Sequence, residues 1–230
     1  MALRGSIEPA DYKRYVLPLI FLRFLSLRYA RRRGERESFV LQEPGHDLYD
    51  DKAALTDSGE YTRAGAFIVP EQAQWSWLLA QAQADDIRVK VDEALQLLED
   101  TYPQQLKGLL PRIFAGSNLS AESLTGLINL FSRETFNSDE AGERRLRAVW
   151  THFIDELAII EGKKHGDVWR MPPSFTKVMV AMLAPMRGRV FDPCCGSGGM
   201  FVQSDTFAHH NRDLFYCGQE AKDFTYRLCR

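Results

Sequence analysis

Arg189-Val190-Phe191-Asp192-Pro193-Cys194-Cys195-Gly196-Ser197-Gly198-Gly199, followed by Met200-Phe201-Val202, is the stretch that decides the fold of the C-terminal part of this chain. Arg189-Val190-Phe191 reads as a short apolar strand that runs into a glycine-rich turn, and a helix is expected from Met200 to about His209. A second strand, Leu214-Phe215-Tyr216-Cys217, ends at Gly218-Gln219-Glu220. Strand, glycine turn, helix and strand together open a βαβ unit, which joins parallel strands.

A glycine cluster between strand and helix lets a ligand approach the backbone without side-chain obstruction, at the crevice where open α/β sheets bind cofactors. Glu220 stands about 20 residues further on, at the end of the next strand, where a carboxylate accepts hydrogen bonds from ribose hydroxyls. A nucleoside cofactor is therefore expected. A dinucleotide fingerprint starting at Gly196 would need its third glycine at Phe201, which disfavours NAD or FAD. No Gly-Lys-Ser/Thr closes the loop, which excludes a triphosphate P-loop. Asp192 would repel a pyrophosphate but tolerates a sulfonium or an amino group, and S-adenosylmethionine carries both. The plainer alternative is a glycine turn that only joins strand to helix.

Upstream of this unit an amphipathic helix is expected over Ser174 to Leu183, with a turn at Arg187-Gly188. Glu161-Gly162-Lys163-Lys164-His165-Gly166 reads as a linker or exposed loop. Everything before it reads as helical. Tyr12, Val16, Leu19, Ile20, Phe24 and Leu27 follow helical spacing with Arg23 as a polar intruder, and Ser6 and Glu8-Pro9 supply start signals. This helix should end near Arg33-Gly34, with a kink at Pro18. Residues 34–69 read as a long polar excursion closing on a strand-like Ala66-Phe67-Ile68-Val69. Further helices are expected around Trp75 to Leu79, Ile87 to Leu98, Asn118 to Phe131 and Glu140 to Ile160, with a break at Tyr102-Pro103. The fold class is thus α + α/β: a helical domain over residues 1–160 and the incomplete start of a Rossmann-like domain over 161–230.

The composition agrees. With 230 residues, 45% of them hydrophobic, and 29 Lys+Arg against 31 Asp+Glu, the chain reads as globular rather than disordered, with one or two domains. No apolar run approaches the roughly 18 residues of a membrane span, and the start lacks a signal-peptide core, so a cytoplasmic location without membrane contact is expected. Cys194, Cys195, Cys217 and Cys229 fit neither a disulfide framework nor a zinc site and are expected as reduced thiols. A net charge of −2 excludes a chain that is basic throughout. Residues 1–36 are locally basic, but Arg31-Arg32-Arg33 reads as a solvated helix end before it reads as a phosphate contact. His209-His210 reads as surface, and of Trp75 and Trp77, which point in different directions, at least one is a candidate for exposure.

The string from Val190 to Val202, with Gly218-Gln219-Glu220 and Tyr226-Arg227-Leu228, resembles motifs I and II of the methyltransferase subunit of type I restriction-modification systems. Upstream, Asp11-Tyr12-Lys13, Ile20-Phe21-Leu22-Arg23, Leu106 to Pro111, Leu127 to Ser132 and Glu161 to Lys164 resemble that family's helical N-terminal domain. The resemblance implies transfer of a methyl group from S-adenosylmethionine to adenine N6 in DNA. It implies as partners DNA, a specificity subunit, a restriction subunit and, as a further option, a second methyltransferase subunit. Carried onto this sequence, it implies a cofactor loop at Gly196, Ser197 and Gly198 beside Asp192, a ribose contact at Glu220, and Trp169, Arg170, Met171 and Pro172 at the methionine end.

Two departures from the family pattern stand out. Trp169-Arg170-Met171-Pro172 keeps one aromatic and the proline of an aromatic-aromatic-Thr-Pro segment but loses the threonine hydroxyl, which predicts weaker cofactor contact. The Asn/Asp-Pro-Pro-Phe/Tyr loop that holds a flipped adenine is missing. Met171-Pro172-Pro173-Ser174 is a decoy, because Met offers no strong acceptor and Ser no stacking face. Residues 192–230 hold about one βαβ unit of roughly 30 residues, whereas such a sheet needs several more strands. The chain is therefore expected to be an N-terminal part of such a subunit, inactive alone and with no catalytic residue of its own. A reading of another class is a non-catalytic helical docking module with a vestigial cofactor domain.

Overall fold

The apolar stripe that begins at Tyr12 lies on one long helix, α1 (Tyr12–Gln42), in the computed structural model, which describes residues 11–42, 45, 47, 50–136, 140–165, 171–210 and 213–230. The start signals Ser6, Glu8 and Pro9 fall outside the described residues. Contrary to expectation, α1 does not stop at Gly34. Ion pairs one turn apart bridge that position: Arg32 to Glu35 at 3.0 Å, Arg31 to Glu35 at 3.9 Å and Arg33 to Glu37 at 2.8 Å. Arg36, 2% exposed, pairs with Glu60 at 3.3 Å, and Val40 is buried one turn further on. Packing and pairing beyond the glycine offset its cost of about 1 kcal/mol.

The described part of residues 34–69 correspondingly holds more regular structure than its polarity suggested. After α1 come a 3₁₀ turn at Lys52–Thr56 and helix α2 (Ser58–Arg63), whose N-cap Asp57 accepts hydrogen bonds from the Gly59 and Glu60 N–H groups. The strand expected at Ala66 to Val69 is not formed. Its backbone is satisfied by side chains instead of a ladder: the Tyr102 hydroxyl donates to the Ile68 carbonyl at 3.0 Å and Gln74 Nε2 to the Val69 carbonyl at 3.1 Å.

Helices α3 (Trp75–Ala80), α4 (Ile87–Thr101), α5 (Pro103–Leu106) and α6 (Ala121–Phe131) follow, with the break at Tyr102-Pro103 where expected. Ser120 caps α6 by accepting from the Ser123 N–H at 3.1 Å. Trp75 is buried and Trp77 half-buried. The irregular segment between α5 and α6 is held by polar side chains of α4. Glu99 accepts from the Leu110 N–H, Asp92 accepts from those of Phe114 and Ala115, and Arg88 donates to the carbonyls of Ser117 and Leu119. The core joins α1 to α3, α4 and α6 through Leu19, Leu22, Leu78, Ile87, Leu95 and Ile128. Arg23, the intruder on the α1 stripe, lies over the Trp75 ring and donates to the Phe136 carbonyl at 2.6 Å. Burial lowers its pKa to about 10.

Helix α7 (Glu140–His165) runs through Glu161 to His165, the segment read as a linker. Gly166 falls outside the described residues.

The chain divides into two units, Met1–Leu157 and Ala158–Arg230. In the second, α8 (Pro173–Leu183) precedes strand β1 (Gly188–Asp192), helix α9 (Gly199–Phe207), strand β2 (Leu214–Gly218) and helix α10 (Asp223–Cys229). The strands are parallel, with Val190 opposite Tyr216 and Phe191 opposite Cys217. Alternation gives the sheet two faces. On one, Tyr216 meets Phe201 of α9 with ring centroids 5.4 Å apart, and α8 packs on α9. The other carries Phe191 and Phe215, both exposed. The α + α/β class read from the sequence, with a helical domain followed by the start of a methyltransferase-like sheet, is the architecture observed.

Candidate cofactor site

The site is built where β1 gives way to the glycine loop. The Asp192 carboxylate accepts from the Cys194 N–H at 3.0 Å, which turns the chain out of the strand direction. Two backbone bonds then tie this turn to the end of β2: Gln219 N–H donates to the Asp192 carbonyl and Cys195 N–H to the Gln219 carbonyl, each at 3.0 Å. The parallel ladder thus continues past both strands and holds the segment carrying Glu220 beside the loop. Asp192, Gly196, Ser197, Gly198 and Glu220, five of the nine residues singled out for the cofactor, therefore belong to one crevice at the C-terminal end of the sheet.

Close packing requires glycine at two points of this crevice, and a φ of +55° favours it at a third, Gly196. Gly198 has a φ of +82° and forms the N-cap of α9; a Cβ there would also stand 3.1 Å from Cys229 Sγ. At Gly218 a Cβ would meet Cys195 Sγ at 2.8 Å and a Phe201 ring carbon at 2.9 Å. Gly196, by contrast, faces open space, with no atom within 4 Å of where its Cβ would be. This is the bare backbone that a ligand can approach.

Glu220 is half-exposed, and its Oε1 accepts from the Lys222 N–H at 2.8 Å at the start of α10. That bond orients the carboxylate and engages one of its two oxygens. Cys229, at the far end of α10, lies 3.7 Å from Cys195, Sγ to Sγ. Burial first, then the bond to Cys195, then the carboxylates of Asp192 and Glu220 push its thiol pKa up to about 11.

Met171 and Pro172 stand at the N-terminus of α8, where the Pro172 carbonyl accepts from the Thr176 N–H at 3.2 Å. The described contacts join the glycine loop to Gln219 and α10 rather than to these two residues. Trp169 and Arg170 lie outside the described residues. Arg31, Arg32 and Arg33 lie within α1 rather than at the solvated helix end expected, and are engaged within the chain, Arg31 also pairing with Glu143 at 3.0 Å. His209 and His210 are exposed, and His210 Nδ1 bonds Asp205, which also accepts from the Tyr216 hydroxyl at 3.3 Å. An open cleft of about 760 Å³ among Gln83, Asp85, Glu122, Ser123 and Asn129 holds none of the residues singled out from the sequence.

Sequence reasoning missed one residue that holds the site together and one that only borders it. Gln219 acts through its backbone, which leaves no residue-type signal, although it adjoins Glu220. Cys229 is far from Cys195 in sequence; the only pointer was that all four cysteines lie at or after position 194.

A helical unit is followed in sequence by a partial α/β sheet with a glycine loop at the C-terminal ends of its strands. Residues 1–131 match the HsdM N-terminal domain family and residues 144–230 the N-6 DNA methylase family. The chain belongs to the methylase-subunit family of type I restriction enzymes. It is 32% identical over 99% of its length to the type I restriction enzyme MjaIX methylase subunit of Methanocaldococcus jannaschii, covering 42% of that protein. It is 36% identical, over 60% of its length, to the HindI methylase subunit of Haemophilus influenzae, of which it covers 33%. The chain thus spans less than half the length of these curated relatives. Its fold resembles that of a type I restriction-modification methyltransferase subunit from Streptococcus thermophilus, with a TM-score of 0.63 at 16% identity, over 99% of this chain and 52% of that one. Among the described residues no helix is long and apolar enough to cross a membrane.

Proposed function

We propose that these residues form the cofactor-binding part of a cytoplasmic DNA adenine-N6 methyltransferase subunit of a type I restriction-modification system. In this reading residues 1–160 are the helical domain and residues 161–230 begin the catalytic domain. The observation that carries it is the open Gly196 backbone held between Asp192 and Glu220 by the Gln219 backbone bonds. This donor set fits S-adenosylmethionine: the backbone amides of Gly196 and Ser197, a carboxylate at Asp192 suited to a positive or amino group, and the second oxygen of Glu220 for a ribose hydroxyl. Gly196, Ser197 and Gly198 would line the cofactor, with Trp169, Arg170, Met171 and Pro172 at its methionine end. When bound, S-adenosylmethionine supplies an electrophilic methyl group.

DNA, a specificity subunit, a restriction subunit and a second methyltransferase subunit are the partners this reading names. The 230 residues contain no Asn/Asp-Pro-Pro-Phe/Tyr loop, so the polypeptide by itself is expected to bind cofactor without methylating DNA. Methyl transfer by the purified chain would overturn that expectation.

Titration calorimetry with S-adenosylmethionine tests the reading. Binding should be measurable, and Glu220→Ala should weaken it at least about tenfold, the loss of a charged hydrogen bond of roughly 1.5–3 kcal/mol. No heat from folded protein would sink it and favour a non-catalytic docking module instead.

A further inference from the structure

Cys195 and Cys229 are brought together by the fold, from the glycine loop and from the last turn of α10, with their sulfurs 3.7 Å apart. Neither is free to drift. Cys195 is 8% exposed and lies close enough to Gly218, as Cys229 does to Gly198, that a Cβ on either glycine would collide with it. Both contacts are with the glycines that shape the crevice. A contraction between the two sulfurs must therefore move the loop.

We propose that Cys195 and Cys229 are a redox pair whose disulfide pulls the glycine loop toward α10 and lowers affinity for the nucleoside cofactor. The second half of this statement rests on the function proposed above. An S–S bond is about 2.05 Å long, so closure draws the sulfurs together by roughly 1.7 Å. Cys195 belongs to the loop itself, one residue before Gly196, so the loop backbone is drawn along with its sulfur. Reducing cytosol favours the open dithiol, and disulfides that form there are mostly transient and redox-sensing.

The oxidant is a low-molecular-weight disulfide. The thiolate of one cysteine attacks a sulfur of that disulfide, forming a mixed disulfide and releasing one small thiol. The second cysteine then displaces the other small thiol and forms the Cys195–Cys229 bond. Two electrons pass from the cysteine pair to the reagent, and the two protons end on the two released thiols. The elevated pKa of Cys229 leaves little of it as thiolate at neutral pH, so the exchange is slow there and speeds up as pH rises.

The test treats the 230-residue chain with glutathione disulfide or with a reducing dithiol, then maps peptides under non-reducing conditions and titrates both samples with S-adenosylmethionine. The expected result is a peptide pair linked through Cys195 and Cys229, at least a tenfold loss of affinity, and recovery on reduction. Cys194→Ser should still form the link. Cys229→Ser should form none and keep its affinity under oxidant; if it fails to fold, the wild-type map and its reversal decide the matter. A Cys194–Cys195 link, mixed disulfides alone, or unchanged affinity of the linked protein would overturn the proposal. If the reduced chain gives no heat, the function reading falls, and the peptide map alone then decides whether the pair exists.

Discussion

Leu95 of the helical unit and Phe215 of the α/β unit are both apolar residues in regular structure, yet Leu95 is wholly buried and Phe215 is 63% exposed. The contrast is general. In the helical unit Leu19, Leu22, Tyr61, Leu78, Ile87 and Phe114 have no accessible surface to speak of, while in the α/β unit Phe175, Met182, Leu183, Phe191 and Val202 are open. Side-chain chemistry does not separate the two sets; the number of elements packed around them does. A parallel sheet is ordinarily covered on both faces, and here α9 covers one. The helical unit is therefore held by its core, and the α/β unit by backbone ties and close glycine contacts around its crevice.

The strongest way to break this comparison is to remove the largest buried side chain. Trp75 is 2% exposed, donates through Nε1 to Ser132 Oγ at 2.8 Å, and lies under the Arg23 guanidinium. Trp75→Ala leaves a cavity and removes one of the two hydrogen bonds of the Ser132 hydroxyl, and should cost about 3–5 kcal/mol. Urea denaturation followed by far-UV circular dichroism measures it. A loss under 1 kcal/mol would mean that the core does not hold this unit.

Gly218→Ala asks the matching question of the α/β unit. Its new Cβ would press on Cys195 Sγ and the Phe201 ring, so overpacking of about 1–3 kcal/mol is expected, with weaker cofactor binding. An alanine variant as stable as the parent would show that the loop and the end of β2 have slack.

A smaller effect is expected from pH. The folded Cys229 pKa of about 11 lies above the 9.0 of an ordinary thiol, so the folded state holds its proton more tightly. Its contribution is complete below pH 9 and is lost as pH rises toward 11, because ionisation is easier in the unfolded chain. Thermal unfolding of the α/β unit should shift downward across that window. Cys229→Ser should flatten the shift, and an unchanged slope in that variant would assign it to other groups.

What the sequence disclosed follows the same division. Strand, turn, helix and strand around Gly196 were legible because a glycine cluster between apolar runs has few other uses, and α6 was legible in the helix expected over Asn118 to Phe131. The reach of α1 past Gly34 was not, because Arg36 with Glu60 and Val40 with its neighbours stabilise it through contacts made only in the fold. Ala66 to Val69 has strand-like residues, but Tyr102 and Gln74 satisfy its backbone before a second strand can. At the site, Asp192 and Glu220 were readable as residue types. Gln219 was not, because backbone amides and carbonyls carry no letter.

The smallest expected effect is the most pointed. Phe215→Ala removes an aromatic ring from an exposed sheet face, and with 63% of the residue open to solvent little transfer free energy is lost. The change in stability should stay within about 0.5 kcal/mol, the range of surface substitutions, against about 2–5 kcal/mol for Leu95→Ala in the helical core. The two variants form one experiment, because each is judged by the other. Equal losses would mean that the Phe191 and Phe215 face is covered in solution, and burial rather than residue type would then have to be reassigned on the α/β side. Near-silence at Phe215 beside a large loss at Leu95 would locate the hydrophobic stability of the molecule in its helices, leaving the crevice to hydrogen bonds and glycine geometry.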